Sequence, residues 1–266
     1  MKDRLDCIAA QRGLFESREK AKASIMAGVV LVDGQRVDKP GTKVDENAEI
    51  TIVQAACPYV SRGGLKLEKA MECFGLDLAG AKAVDIGAST GGFTDCMLQN
   101  GASHVTCIDV GYGQLDWKLR NDPRVTNLEK TNVRYLDVES VGTDHDFISI
   151  DVSFISLKLV LPVAAKLLRE EGKIVCLVKP QFEAGREQVG KKGIVRDPAV
   201  HRQVISQVIG YGNECGLASV GLDYSPVTGT KGNIEYLLFM TRKLCDNTVG
   251  EEDVSQVVER SHRELK

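Results

Sequence analysis

Residues 84–95 form a glycine-rich stretch of the kind that binds a nucleotide-like ligand. The apolar run before it, residues 81–86, predicts a buried strand, and the run after it, residues 93–99, predicts a helix. The glycines therefore lie at a turn from a strand into a helix, where an open α/β sheet binds its ligand. Glycine lets the backbone approach a ligand closely, and the helix N-terminus offers free N–H groups.

The spacing of these residues indicates which ligand the turn binds. Asp85, Gly87, Gly91 and Gly92 follow the pattern D-x-G-x-x-x-G-G, whereas a dinucleotide-binding turn follows G-x-G-x-x-G. This difference argues against an NAD dehydrogenase, and the pattern resembles the first motif of S-adenosylmethionine (SAM) methyltransferases. Asp109 ends a second apolar run about 24 positions later, where a carboxylate can bind both hydroxyls of a ribose. A tight turn that binds nothing is the alternative.

Four charged residues are expected at the same edge of the sheet as the glycine turn. Lys66 lies on a predicted helix, Asp151 and Lys179 stand at the ends of predicted strands, and Glu235 lies early in the final strand. Any one of them, taken alone, is equally well explained as an ordinary surface residue. Asn132 follows the third strand and either contacts the adenine of a ligand or caps its own loop.

Seven strands must position these residues, with helices between them. The predicted strands are residues 81–86, 104–108, 124–128, 146–151, 173–178, 219–224 and 233–239. Helices are predicted over residues 152–168 and 200–215, and a tail helix follows residue 250. Because the last two strands are antiparallel, this order is that of the methyltransferase variant of the doubly wound sheet. The glycine- and lysine-rich residues 181–196 predict a mobile lid, since long loops inside a compact domain are usually functional.

The first 56 residues predict a separate small α+β unit. Helices are expected over residues 3–11 and 18–27, the second capped by Ser17 and ended by Gly28, with Met26 turned inward. Strands 29–32 and 35–37 are joined by Asp33-Gly34, a hairpin signal, and residues 49–53 form a third strand. The pattern resembles the S4 RNA-binding domain over about 55 residues. Five basic residues are either a solvated surface or, as the resemblance implies, contacts for RNA phosphates: Arg4, Arg18, Lys20, Lys22 and Lys39.

Composition limits the classes of function. The 266 residues predict two domains, 1–56 and 61–266, with a linker at 57–60. No stretch approaches the roughly 20 apolar residues of a membrane span, and no signal peptide is evident, so a cytoplasmic protein is expected. None of the eight cysteines is spaced C-x-x-C, so Cys96, Cys107 and Cys176 are interpreted as buried thiols and no metal site is expected. The net charge of −3 means that RNA binding must come from a local basic face.

Several longer motifs identify a family. They are residues 60–67 (VSRGGLKL), 87–94 (GASTGGFT), 109–115 (DVGYGQL), 153–157 (SFISL), 178–183 (VKPQFE) and 232–236 (GNIEY). With them the sequence resembles the TlyA family over nearly its whole length. Members of this family are often labelled haemolysins, and their catalytic half is FtsJ-like. The resemblance implies a Rossmann-like SAM methyltransferase domain that methylates the 2′-oxygen of cytidine in ribosomal RNA or ribosomal subunits.

The resemblance also implies which residues do the chemistry. A Lys-Asp-Lys-Glu tetrad falls on Lys66, Asp151, Lys179 and Glu235. The SAM-binding residues it implies are Asp85, Gly87, Ala88, Ser89, Gly91, Gly92, Phe93, Asp109 and Asn132. Lys179 is expected to contact the 2′-oxygen, with Lys66 lowering its pKa and the two carboxylates raising it.

Two other functions compete with this interpretation. One is an S4 and SAM-binding protein without catalysis, and the other is a membrane-active haemolysin. The sequence leaves open the oligomeric state and which ribosomal subunit is modified.

Overall fold

A computed structural model describes residues 2–26, 29–52, 57–229, 232–242 and 248–265 of the chain. The chain divides into two compact units, Met1–Pro58 and Tyr59–Lys266. The domain boundaries at residues 56 and 61 stay predictions.

The first unit combines two helices with two small antiparallel sheets. Its elements are β1 (Lys2–Arg4), α1 (Leu5–Gln11), α2 (Arg18–Met26), β2 (Val30–Val32), β3 (Gln35–Arg36), β4 (Lys43–Asp45) and β5 (Ile50–Ile52). Strand β1 pairs with β4, and β2 lies between β3 and β5. Buried apolar side chains from both helices and three of the strands form one core, which includes Leu5, Ile25 and Ile50.

The predicted hairpin of the first unit is confirmed. Asp33 and Gly34 have φ values of +50° and +77°, as a two-residue turn that follows the twist of its strands requires. Ser17 caps α2 as predicted, since its Oγ accepts a hydrogen bond from the Lys20 N–H at 3.2 Å. Gly28 lies outside the described residues.

Two predictions for the first unit are wrong. The first helix begins at Leu5 rather than at residue 3, because Lys2–Arg4 form a strand with exposed side chains and no apolar alternation to reveal it. Met26 is 64% exposed rather than inward. Ile25 takes the buried position, and the next residue on a helix points about 100° away.

The second unit alternates strands and helices. It contains α3 (Gly63–Phe74), β6 (Lys82–Ile86), α4 (Gly92–Gln99), β7 (His104–Ile108), α5 (Trp117–Arg120), β8 (Val125–Leu128), α6 (Val138–Val141), β9 (His145–Ile150), α7 (Leu157–Leu167), β10 (Leu168–Val178), α8 (Pro180–Glu183), α9 (Pro198–Glu214), β11 (Ala218–Tyr224), β12 (Tyr236–Thr241) and α10 (Glu251–Glu264). Single 3₁₀ turns lie at Val133–Tyr135 and Arg186–Gln188. Cys96, Cys107 and Cys176 are buried free thiols, as predicted.

The seven strands form one sheet in the order β11-β12-β10-β9-β6-β7-β8. Strand β12 is antiparallel to both of its neighbours, and the ladders from β10 to β8 are parallel. The carboxyl ends of β6, β9 and β10 therefore meet at one edge, and β12 begins at that edge. In the register, Val178 pairs with Tyr236 and Ile150 pairs with Ile86, so the residues beside these pairs come together.

Four features of the second unit differ from the prediction. Strand β10 begins at Leu168 rather than at residue 173, because the exposed residues 169–171 show no apolar alternation that would indicate a strand. Helix α7 begins at Leu157 rather than at residue 152, because residues 151–156 form a loop. Residues 181–196 are not structureless, since they contain part of α8 and a 3₁₀ turn; their mobility as a lid stays a prediction. Glu235 precedes β12 instead of lying within it.

Candidate active site

A cavity of about 460 Å³ opens at the carboxyl edge of the large sheet, within the second unit. Its walls come from the glycine-rich turn, the start of α3, the ends of β9 and β10, and residues 227–229. The lining residues include Gly87, Ala88, Ser89, Gly92 and Phe93 from the glycine-rich turn and the start of α4, together with Lys66, Asp151, Ser153 and Lys179. A cavity of this size lies in the usual range for small-molecule and cofactor sites.

The structure brings the four predicted charged residues together. Lys66 Nζ lies 2.7 Å from Glu235 Oε2 and 3.4 Å from Asp151 Oδ2, and Lys179 Nζ lies 2.5 Å from Asp151 Oδ1. The charges therefore alternate along the row Lys179, Asp151, Lys66, Glu235. Lys179 is 7% exposed and Glu235 is 3% exposed, so the row is shielded from solvent and its interactions are stronger than at a surface.

Burial and the neighbouring charges shift the pKa values of Lys66 and Asp151 in opposite directions. Burial disfavours the charged form of Lys66, but the carboxylates of Asp151 and Glu235 outweigh it and raise the pKa of the lysine. Burial likewise disfavours the charged form of Asp151, but Lys66 and Lys179 outweigh it and lower the pKa of the carboxyl group. Lys66 is therefore a fixed cation and Asp151 a fixed anion near neutral pH.

Two polar neighbours of the row, Ser153 and Gln181, were not predicted from the sequence. The hydroxyl of Ser153 accepts a hydrogen bond from Lys179 Nζ at 3.1 Å, and Gln181 Nε2 donates one to Glu235 Oε1 at 3.4 Å. Ser153 lies two residues after Asp151 and Gln181 lies two residues after Lys179. Their closeness to the charged residues in the chain was the available signal, but it does not reveal where their side chains point.

The glycine-rich turn depends on glycine at two positions. A Cβ on Gly87, whose φ is +85°, would lie 2.4 Å from the carbonyl oxygen of Asp151. A Cβ on Gly91, whose φ is +92°, would lie 2.2 Å from Leu119 Cδ1. Both the backbone conformation and the space therefore require glycine.

Asp109 supports the same turn. Its Oδ2 accepts a hydrogen bond from the Ser89 N–H at 2.8 Å, and its Oδ1 accepts one from the Gly111 N–H at 2.7 Å. Its carboxylate is therefore fixed beside the turn, at the end of β7. This is the placement predicted for a carboxylate that binds a ribose, and the ribose contact itself stays a prediction.

Asp85 lies inside the protein rather than at the cavity. It is fully buried and accepts hydrogen bonds from the Thr94 N–H at 3.0 Å, the Thr94 hydroxyl at 2.6 Å and the Ser149 hydroxyl at 2.9 Å. Burial raises the pKa of Asp85 to about 6 despite these donors. The geometry gives Asp85 the role of joining β6 to α4 and β9.

Asn132 acts as a cap in the structure. Its Oδ1 accepts a hydrogen bond from the Arg134 N–H at 3.1 Å at the start of the 3₁₀ turn. This geometry supports the loop-cap interpretation, and an adenine contact stays a prediction.

Phe154 has an unusual conformation beside the charged row. Its φ is +64°, its side chain is 91% exposed, and its ring centroid lies 4.9 Å from that of Phe182. A left-handed backbone at a bulky residue must be fixed by its surroundings. Sequence patterns gave no indication of it.

The five basic residues predicted to bind RNA lie in the first unit. Arg4 and Arg18 bind the buried carboxylate of Asp6 at 2.9 Å and 3.1 Å and hold its pKa well below the usual range. Of the remaining three, Lys20 pairs with Glu16, Lys22 Nζ lies 3.9 Å from Glu19 Oε1, and Lys39 is exposed. RNA contact by any of them stays a prediction.

Comparisons with known proteins agree with this architecture. Residues 59–242 match the family described as FtsJ-like methyltransferase, and residues 3–50 match the S4 domain. The chain is 50% identical to YqxC of Bacillus subtilis, named as a candidate rRNA methyltransferase, over 100% of this chain and 96% of the relative. It is 44% identical to the 16S/23S rRNA (cytidine-2′-O)-methyltransferase TlyA of Mycobacterium tuberculosis, over 97% of this chain and 96% of the relative.

A solved structure also matches this chain over nearly its whole length. The structure of a Streptococcus thermophilus protein, named as a candidate hemolysin, has 48% identity and a TM-score of 0.79, and the match covers 99% of this chain and 97% of that one. In the described part of the present chain, no helix is both long and apolar enough to cross a membrane. The same residues contain no cluster of three or more histidine, cysteine, aspartate or glutamate side chains able to hold a metal ion.

Proposed function

Because the chain belongs to the FtsJ-like methyltransferase family, we propose that it transfers a methyl group from SAM to the 2′-oxygen of cytidine in ribosomal RNA. The observation that carries the proposal is the alternating row of Lys179, Asp151, Lys66 and Glu235 beside the glycine turn. The substrate is ribosomal RNA, alone or within a ribosomal subunit, and the cytoplasm is the compartment where it is found.

The residues of the cavity fit SAM. Gly87 and Gly92 line the cavity with backbone alone, so a cofactor can approach them closely, and Asp109 fixes the Ser89 backbone beside them. Gly87, Ala88, Ser89, Gly92 and Phe93 would hold the cofactor along one wall of the cavity. When bound, SAM supplies an activated methyl group on a sulfonium.

The protein must align the ribose oxygen and receive its proton. A 2′-hydroxyl is a poor nucleophile near neutral pH, so a lysine beside it must accept the proton or stabilise the developing negative charge. Lys179 is the proposed contact, because it lines the cavity and its other partners are Asp151 and the neutral Ser153 hydroxyl. Lys66 stays a cation between two carboxylates and fixes the orientation of Asp151.

The test is methyl transfer to ribosomal RNA. Purified protein, SAM labelled on its methyl group and ribosomal subunits from a strain without the gene should give labelled RNA, with the label on the 2′-oxygen of cytidine. Mapping the sites on each subunit separately identifies the substrate. A protein that binds SAM and RNA without transferring label would be the non-catalytic alternative, and label on a base would contradict the proposal.

A further inference from the structure

A carboxylate outside the charged row holds the first turn of α7. Glu183 Oε1 accepts a hydrogen bond from the Leu157 N–H at 2.8 Å, and its Oε2 accepts one from the Ser156 hydroxyl at 2.7 Å. The first N–H groups of a helix have no partner within it, so an acceptor from another segment stabilises this end. The negative charge also interacts favourably with the helix dipole. Glu183 is therefore a strong anchor for the N-terminus of α7.

The loop that ends at this anchor carries groups of the charged row. Residues 151–156 connect β9 to α7, and both Asp151 and Ser153 in this loop contact Lys179 Nζ. At Phe154 the loop adopts φ +64°, a left-handed conformation that is energetically unfavourable for a bulky non-glycine residue. Such a conformation persists only when the surrounding structure fixes the loop.

One short segment fixes the loop at both ends. Lys179 binds its first half, and Glu183 binds its last residue and the helix that follows. Between them lies the single turn of α8, closed by hydrogen bonds from the Phe182 N–H to the Lys179 carbonyl and from the Ala184 N–H to the Pro180 carbonyl, both at 2.9 Å. The position of Glu183 therefore determines where the loop lies relative to Lys179.

We propose that Glu183 is a positioning residue for the methyl transfer. It does not line the cavity and acts by holding residues 151–156 so that Asp151 and Ser153 meet Lys179. The inference rests on the proposed function, and it assigns a role in the reaction to the last residue of the segment 179–183.

The test compares three variants under saturating SAM and RNA. Glu183→Ala removes both hydrogen bonds, and a displacement of about 1 Å at a reacting group costs roughly 10²-fold in kcat. Glu183→Gln keeps an acceptor for the Leu157 N–H and offers an N–H to Ser156, so it should restore most of the kcat. The SAM dissociation constant should stay unchanged in both. Glu187→Ala, at an exposed glutamate in the next turn, is the control and should behave as wild type.

Three kinetic outcomes would overturn the inference. The first is full kcat in Glu183→Ala. The second is a folded Glu183→Gln that is as slow as Glu183→Ala, since then position is not what Glu183 provides. The third is an equal loss of kcat and SAM affinity, which would show a general structural role. If the wild type labels no RNA, the proposed function fails separately. In that case, crystal structures of the variants test the positioning role. Residues 151–156 should be displaced in Glu183→Ala and unchanged in Glu187→Ala.

Discussion

At the residue scale, the four charged groups differ in what surrounds them. Lys66 is bound by two carboxylates, which raise its pKa, so its contribution is a fixed positive charge. Lys179 is bound by one carboxylate and one neutral hydroxyl and lines the cavity. The surroundings of the two lysines therefore support different roles for them.

Replacing Lys179 should stop the reaction without disturbing the cofactor. Lys179→Ala removes the group proposed to contact the 2′-oxygen, and losses of this kind are roughly 10³-fold in kcat. The measurement is transfer of labelled methyl to ribosomal RNA, alongside calorimetry for SAM affinity, which should stay at the wild-type value. Lys173→Ala, within β10 but outside the lining of the cavity, is the matched control. Full activity of Lys179→Ala would remove Lys179 from the mechanism.

Asp85 should make the fold less stable as the pH rises. Its pKa is raised to about 6 in the folded protein, so the folded state binds more protons than the unfolded state between about pH 4 and 6. The protonated group therefore stabilises the folded state at low pH. The free energy of unfolding falls by about 2 kcal/mol as the pH rises towards neutrality. Asp85→Asn removes that titration, and urea unfolding from pH 4 to 7 should show the variant gaining stability relative to wild type. A constant difference across this range would contradict the assignment.

The positions of the site residues could be predicted only where they depend on the local sequence. Asp151 and Lys179 each follow an apolar strand, and the carboxyl ends of parallel strands share one edge, so their meeting could be predicted. Asp85 instead lies within β6, and its side chain points into the interior, where Thr94 and Ser149 bind it. The contact of Glu183 with Leu157 joins segments 26 residues apart, and no periodicity reports such a pairing.

At the scale of elements, the reversed strand β12 completes the site. Because it is antiparallel to β10, the residue before it lies at the edge where β10 ends, which brings Glu235 near Lys179. The sequence predicted that the last two strands, β11 and β12, are antiparallel, but it placed Glu235 inside the final strand. The backbone before β12 instead bonds to the preceding loop, since the Glu235 carbonyl accepts from the Ser225 N–H and the Asn233 carbonyl from the Gly229 N–H, both at 2.8 Å.

The buried His201 joins α9 to the start of β12, next to Glu235. It should make the folded state less stable at acidic pH. His201 on α9 bonds to the Val195 carbonyl at 3.0 Å and to the Tyr236 hydroxyl at 2.6 Å, and the His262 ring packs beside it. Burial lowers the pKa of His201 to about 4, below the usual value of about 6.5. The unfolded state therefore binds more protons between these values, and stability falls as the pH drops through this range.

The expected size of this effect is about 2 kcal/mol between pH 7 and 5. His201→Gln cannot titrate, so its unfolding free energy should depend less on pH by that amount, as measured by urea denaturation followed by circular dichroism. An unchanged pH dependence in the variant would show that His201 does not titrate in this way.

At the scale of the whole molecule, the protein has a net charge of −3, so no global field attracts RNA. The basic residues of the first unit differ in how firmly they are placed. Arg4 and Arg18 share the buried Asp6, whereas Lys20 and Lys39 are exposed and Lys22 is half-buried. The arginines are therefore held by a buried carboxylate, whereas Lys20 and Lys22 pair only with the exposed carboxylates of Glu16 and Glu19.

Removing the three lysines should weaken RNA binding in a salt-dependent way. Each lost phosphate contact lowers the slope of log K against log salt by roughly 0.7 to 0.9, so Lys20→Gln, Lys22→Gln and Lys39→Gln together should lower it by about 2. The measurement is a salt titration of binding to ribosomal RNA. Lys166→Gln with Lys173→Gln, on the second unit, is the control, and SAM affinity should not change. An identical slope in the triple variant and wild type would mean that these lysines are only a solvated surface.

Because Gly87 has no side chain, two segments of the active site pack directly against each other. The backbone that would cradle the methyl donor lies directly against the backbone of Asp151, and the space between them does not admit even a methyl group. Neither part can shift without pushing the other. We therefore expect every substitution of Gly87 to lower cofactor affinity and turnover together, because it would displace both segments.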